Sequence, residues 1–230
     1  MDARKRKREL VLGIVLMIGF LVVLAGIFSP VFNGYNGMEY MDNLYNSISK
    51  GSAYYIDDVR ENANAMAGEM IDVKLEFGNE MQAERVAVIF NANGAAAQTV
   101  EGGVSVRGDL GELYQAALDD AEAMYHNNAQ ALEEKYGYEA QSVLFNWWSV
   151  STVLDKVLSK QKRFAPAKNI STIKGKAIET AYNYFGIEPQ SISSKLGIVI
   201  GSLVFYVVYT LWYGFAILFM FEGSGFRLEH

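Results

Sequence analysis

The sequence predicts an all-α protein: two transmembrane helices flank an extracytoplasmic antiparallel bundle of about four helices, the first long and heptad-patterned. Three observations predict it. Leu10–Phe28 and Leu196–Phe221 hold no Asp, Glu, Lys, Arg or His over 19 and 26 positions. Five consecutive cations, Arg4 to Arg8, precede the first of these stretches. Between them, apolar residues recur in steps of three and four, the spacing of one helix face. The mean hydropathy of +0.07 conceals this division, because the apolar stretches are offset by a carboxylate-rich middle.

The first apolar stretch, as a helix, is about 28 Å long, close to the hydrocarbon thickness of a bilayer. The second is long enough to span with tilt. Backbone groups in lipid must be satisfied within the segment, so both are expected to be helical. The basic run holds its end in the cytoplasm. A cleaved signal peptide has the same basic start, but its apolar region is usually shorter, and Ala25-Gly26-Ile27 and Ser29-Pro30-Val31 are poor cleavage sites. The expected division is therefore 1–9, a basic cytoplasmic N-terminus; 10–32, the first span; 33–195, the extracytoplasmic bundle; 196–221, the second span; and 222–230, a short cytoplasmic tail. Leu228-Glu229-His230 reads as the start of an expression tag, which leaves His126 as the native histidine. The setting implied is the cytoplasmic membrane of a bacterium or archaeon, with both termini inside.

Within 33–195 the net charge is −8, divided into −13 over 33–145 and +5 over 146–195. Oppositely charged helices packing together account for this most simply. The sharper alternative is that Lys156, Lys160, Lys162, Arg163 and Lys168 touch lipid headgroups or an acidic partner.

Ile56, Val59, Ala63, Met66, Met70, Val73 and Phe77 form an unbroken heptad seam, which predicts one helix from Ser52 to about Asn91, after a helical piece around Met38–Ser49. Asn93-Gly94 stops it. The glycine-rich stretch to Gly111 reads as a loop, with Ala97–Val100 and Val104–Arg107 able to pair as a small hairpin. Asp109 with Glu112 three residues on is a capping box opening the second helix, expected to run to Gly137. A third is expected from Glu139 to Arg163, broken by Pro166, and a fourth from Ser171 to Phe185, stopped by Gly186. By helix count and order this is similar to the helical sensor ectodomain of two-span bacterial receptors, an analogy of topology carried by no motif.

Few residues suggest chemistry. No cysteine is present, which removes disulfides, thiolate metal sites and cysteine nucleophiles. Glu122 and His126 share a helix face but lack further metal ligands. Asp57-Asp58 with Glu61, and Asp119-Asp120 with Glu122, read as solvated faces rather than cation sites. Arg107-Gly108-Asp109 matches an adhesion tripeptide that recurs by chance, and Asn169-Ile170-Ser171 reads as a helix start. Trp147 is expected in the seam and its neighbour Trp148 outward or against another helix. No catalytic, cofactor or metal residue is expected, and nucleic acid is not an expected partner.

The spans carry more. Gly197-x-x-x-Gly201 is a small-xxx-small face, and Gly19 and Gly26 lie a heptad apart, so these four glycines are the expected helix-association face. Ser202, Tyr206, Tyr209 and Tyr213 form one hydroxyl face along the second span, whose polar groups need partners. The function implied is a non-catalytic, self-associating two-pass membrane protein that binds a partner or ligand through its extracytoplasmic domain. The alternative is a homo-oligomeric channel lined by the Ser202–Tyr213 stripe.

Overall fold

The computed structural model describes residues 3–226; Leu228-Glu229-His230 lie outside the described residues. In chain order its elements are α1 (Ala3–Ile27), α2 (Gly37–Ser52), α3 (Ile56–Asn64), β1 (Met70–Glu76), α4 (Glu80–Ala92), β2 (Ala96–Val100) and β3 (Gly103–Asp109). There follow α5 (Leu110–Tyr125), α6 (Ala129–Tyr136), α7 (Ala140–Lys160), α8 (Phe164–Ile173), a π-helical turn (Lys174–Ile178), α9 (Glu179–Tyr184) and α10 (Ile192–Ser224). Two compact units result: Ser52–Glu188, and the flanking segments Met1–Gly51 with Pro189–His230. The protein is mostly helical, with two helices, α1 and α10, long and apolar enough to cross a membrane.

The Ser52–Glu188 unit is not an all-α bundle. It contains a three-stranded antiparallel sheet in the order β1-β3-β2. The hairpin suggested by the sequence forms, with Val100 opposite Gly103 and the turn made at Glu101-Gly102, where Gly102 takes φ +75°. The heptad seam does not continue as one helix. Ile56, Val59, Ala63 and Met66 are buried on α3 and the turn after it, but Met70 and Val73 belong to β1 and Phe77 follows it. Met70 is 57% exposed where the seam required burial, while Ile71 beside it is 2% exposed. The reason is a coincidence of periods. Ile71, Val73, Leu75 and Phe77 also alternate by two, with Asp72, Lys74 and Glu76 on the other face, and Gly68 at φ +80° breaks the chain direction ahead of them.

Joining β1 to β3 demands close backbone approach at Gly103, whose added Cβ would lie 1.9 Å from the Leu75 carbonyl oxygen. One sheet face, carrying Ile71, Val73, Leu75, Val104 and Val106, packs against α4 and α7. Side chains cover part of both edges. Asn91 donates to Ala97 O and accepts from Ala97 N, both at 2.9 Å, imitating a neighbouring strand along β2. Arg163 donates to Met70 O at the start of β1 and to Glu69 Oε1 at 2.7 Å. Such cover limits edge-to-edge pairing with other chains. Arg163 and Glu69 also join the basic and acidic parts of the chain, as the charge division suggested.

Three helix boundaries differ from expectation for local reasons. The expected second helix is two, α5 and α6, because Asn127 adopts φ +60° and its side chain binds Gly186 N and Ile187 O instead. Helix α7 ends at Lys160 with Lys162 at φ +62°, so Pro166 does not break it; Pro166 lies in the first turn of α8, where a missing N–H costs nothing. The expected fourth helix is α8, the π turn and α9 in succession, closed by Gly186 at φ +79°. Asp109 caps α5 as expected, accepting from Glu112 N at 3.0 Å, and its second oxygen accepts from Gly68 N at 2.6 Å. Both carboxylate oxygens of Asp109, the acid of the adhesion-like tripeptide, are thus committed to the fold.

Candidate functional site

Asp120 was expected on a solvated face, yet it is 3% exposed. Its carboxylate accepts from Trp147 Nε1 at 2.8 Å, from Lys135 Nζ at 3.0 Å and from the Tyr136 hydroxyl, which in turn accepts from Asn93 Nδ2. A buried charge persists only when so partnered. Nearby in sequence, Asp119 and Glu122 converge with Asp57 on Arg60, so the two acidic clusters meet across α3 and α5. Glu122 also accepts from Tyr54 Oη at 3.0 Å rather than pairing with His126, which packs against the Tyr54 and Tyr125 rings. These groups hold helices together, and among the described residues no three His, Asp or Glu side chains are placed to hold a metal ion.

The tyrosines in and around these networks resist ionisation. Burial, reinforced by Glu122, raises Tyr54 to about 12, and burial raises Tyr138 to about 12. Burial likewise raises Tyr114 and Tyr136, the latter helped by the adjacent Asp120 charge. In the unfolded chain each ionises near its ordinary value of about 10. Above that pH the unfolded state has lost protons that the folded state retains, so unfolding is favoured. Stability is expected to be unaffected by these groups below pH 10 and to fall from pH 10 towards 12. Urea midpoints measured across that range check this, and Tyr138→Phe should flatten the slope.

A concavity on this unit lies between α7 and the π turn. Helix α7 buries Trp147 completely and presents Phe145 and Trp148, three residues apart, on its outer side. Opposite, the chain buries Ile173, Ala177, Ile178 and Ala181. Ala177 and Ile178, both in the π turn, are buried side by side, as adjacent pairs also are on α5 and α7. Glu179 and Tyr182, on α9, line the α7 side. A groove of about 330 Å³ results, lined by Phe145, Trp148, Ile178, Glu179, Tyr182 and Asn183. Glu179 Oε1 accepts from Trp148 Nε1 at 2.6 Å, and Oε2 accepts no hydrogen bond among the described residues. Phe145 and Trp148 are near-parallel, 6.1 Å apart, and Lys174 Nζ lies 5.6 Å from the Trp148 ring centroid. Sequence reading separated Trp147 from Trp148 but missed Phe145, Glu179 and Tyr182. The available signal was Glu179 itself, an acid in the basic stretch 146–195.

In the other unit, α1 and α10 pack as an antiparallel pair. Gly13 lies against Ala216 and Met220, and Gly223 against Leu10. Gly19 meets the Trp212 ring, whose Nε1 donates to Leu16 O at 2.9 Å. Tyr209 donates to Phe20 O at 3.2 Å and stacks on the Phe20 ring at 4.3 Å; Tyr213 lies against the same ring. Ser202 shares a hydrogen bond with Tyr45 of α2 at 2.8 Å, while Tyr206 is 67% exposed. Gly26, Gly197 and Gly201 have no atom within 4 Å of an added Cβ. The sequence-derived glycines thus separate: Gly19 is used within the chain, and the other three face outward. Gly13, Gly223 and Trp212 were missed, Gly223 because it follows the uncharged run that defined the span. No protein-family model, curated protein or solved structure matches this chain.

Proposed function

We propose that this chain is a non-catalytic two-pass membrane protein that holds a ligand- or partner-binding domain, Ser52–Glu188, on the extracytoplasmic side of a bacterial or archaeal cytoplasmic membrane. The observation that carries it is the antiparallel α1–α10 pair: two helices with long apolar stretches, joined by glycine contacts and by an indole and a phenol donating to backbone carbonyls. Internal satisfaction of polar side chains is what a hydrocarbon surrounding demands. An antiparallel pair returns the chain to its starting side, and the five cations put that side in the cytoplasm. Self-association is assigned to the outward glycines Gly197 and Gly201, where a second helix can approach closely. The pore reading is weaker, since Ser202 and Tyr209, two of the four hydroxyls in its stripe, have partners within the chain.

The chain's lack of cysteine makes labelling direct. Gln98→Cys on exposed β2 should react with a membrane-impermeant maleimide in intact cells, and Lys5→Cys only after lysis. The reverse pattern, or protection of both, would remove the topology.

A further inference from the structure

The groove between α7 and the π turn has a composition that selects a ligand class. Three aromatic side chains line it, and two of them are held open to solvent: Phe145 is 48% exposed and Tyr182 41%. An aromatic ring presents a negative face, which attracts a cation within about 6 Å of its centroid. The groove also contains a carboxylate, Glu179, whose Oε1 is anchored by the Trp148 indole while Oε2 stays uncommitted. Lys174 Nζ lies 5.6 Å from the Trp148 ring centroid, outside the lining, so the more exposed Phe145 and Tyr182 rings are the ones open to a ligand cation.

We propose that this groove binds an organic cation bearing a quaternary ammonium group. A fully alkylated ammonium needs no hydrogen-bond acceptors, so aromatic walls and one carboxylate satisfy it. A primary ammonium would forfeit strong hydration and have three donors to satisfy. At about 330 Å³ the groove is at the small end of ligand sites, the size for a headgroup or small solute rather than an extended molecule. Glu179 directly follows the π turn Lys174–Ile178, and π turns recur at functional sites. The inference rests on reading Ser52–Glu188 as a binding domain and supplies its ligand class.

The test uses the full chain in maltoside detergent, titrated calorimetrically with choline, tetramethylammonium and 3,3-dimethylbutan-1-ol, the neutral isostere of choline. Both cations should bind saturably and the isostere at least tenfold more weakly. Glu179→Gln, which retains an acceptor for the Trp148 indole, should weaken choline at least tenfold. Tyr182→Ala, at an exposed position, should weaken it at least threefold with the circular dichroism spectrum unchanged. Nanodiscs separate the sources of the group: choline affinity reduced in phosphatidylcholine relative to phosphatidylethanolamine discs, both zwitterionic, identifies a lipid headgroup, and equal affinity in both identifies a free solute. Absence of saturable binding by folded protein, or an isostere equal to choline, overturns the proposal. Either result with Gln98→Cys still labelled from outside removes the ligand class and leaves the topology standing.

Discussion

Asp120→Ala should lower the unfolding free energy of the Ser52–Glu188 unit by about 3 kcal/mol, because it strands two buried donors at about 1–3 kcal/mol each. Trp147, fully buried, loses the acceptor for its Nε1 proton, and Tyr136, 6% exposed, loses the acceptor for its hydroxyl proton. Lys135 contributes little to the loss. Its side chain is 36% exposed and regains water when the carboxylate is removed. The neighbouring acid is the control. The Asp119 side chain is 65% exposed and meets Arg60 near the surface, so Asp119→Ala should cost no more than about 1 kcal/mol. Asp120→Asn keeps one acceptor and should fall between the two. Urea unfolding of the full chain in mild detergent, followed by near-ultraviolet circular dichroism, reads all three. Equal effects at positions 119 and 120 would mean that the Asp120 network adds nothing to stability beyond an ordinary surface pair.

The same pair of residues marks how far the sequence could be read. Two adjacent acids on a helix look alike in a linear pattern, and only the packing of α6 and α7 onto α5 decides which one faces inward. Local chemistry was legible where it was self-sufficient. The Asp109 cap, the Gly102 turn and the Gly186 stop depend on residues within a few positions, and each lies where the sequence put it. The uncharged stretches were legible for the same reason, since length and composition alone mark α1 and α10. What failed was any inference requiring a choice between two periods. Residues 70–77 fit a seven-residue repeat and a two-residue alternation at once, and the decision came from β3, some thirty residues away, which offers β1 a partner. The groove was illegible for a related reason. Its lining comes from two segments about thirty residues apart, Phe145 and Trp148 on α7 and Ile178 to Asn183 beyond it, and no propensity or spacing rule shows that they meet.

Glycine substitutions along the paired helices should have opposite signs according to which face they occupy. A glycine in a helix interior is less favourable than alanine by about 1 kcal/mol, so replacement helps where space is open. At Gly201 nothing lies within 4 Å, and Gly201→Ala should leave the α1–α10 pair intact or slightly stabilised. At Gly223 the added carbon falls 2.4 Å from Leu10 N and 2.6 Å from Leu10 Cα, both backbone atoms that no rotamer change can move. At Gly13 it falls 2.6 Å from Met220 N and 2.9 Å from Ala216 O. Ordinary carbon contacts require about 3.5–4.0 Å, so the helices must part by about 1 Å. Overpacking of this kind costs about 1–3 kcal/mol at each site and outweighs the propensity gain. Gly13→Ala and Gly223→Ala should therefore each lower the dodecyl sulfate concentration that separates the pair, and the double variant should lower it further. Spin labels at Val22 and Leu203, on a chain free of native cysteine, report the spacing directly. The opposite sign at Gly201 turns that position into a probe of assembly: a bulky Gly201→Leu that leaves the intramolecular distance unchanged should still abolish crosslinking between copies if that face joins them. Unchanged crosslinking would assign self-association to another surface, while a collapse of the spin-label distance at Gly201→Leu would show that the outward face is not open.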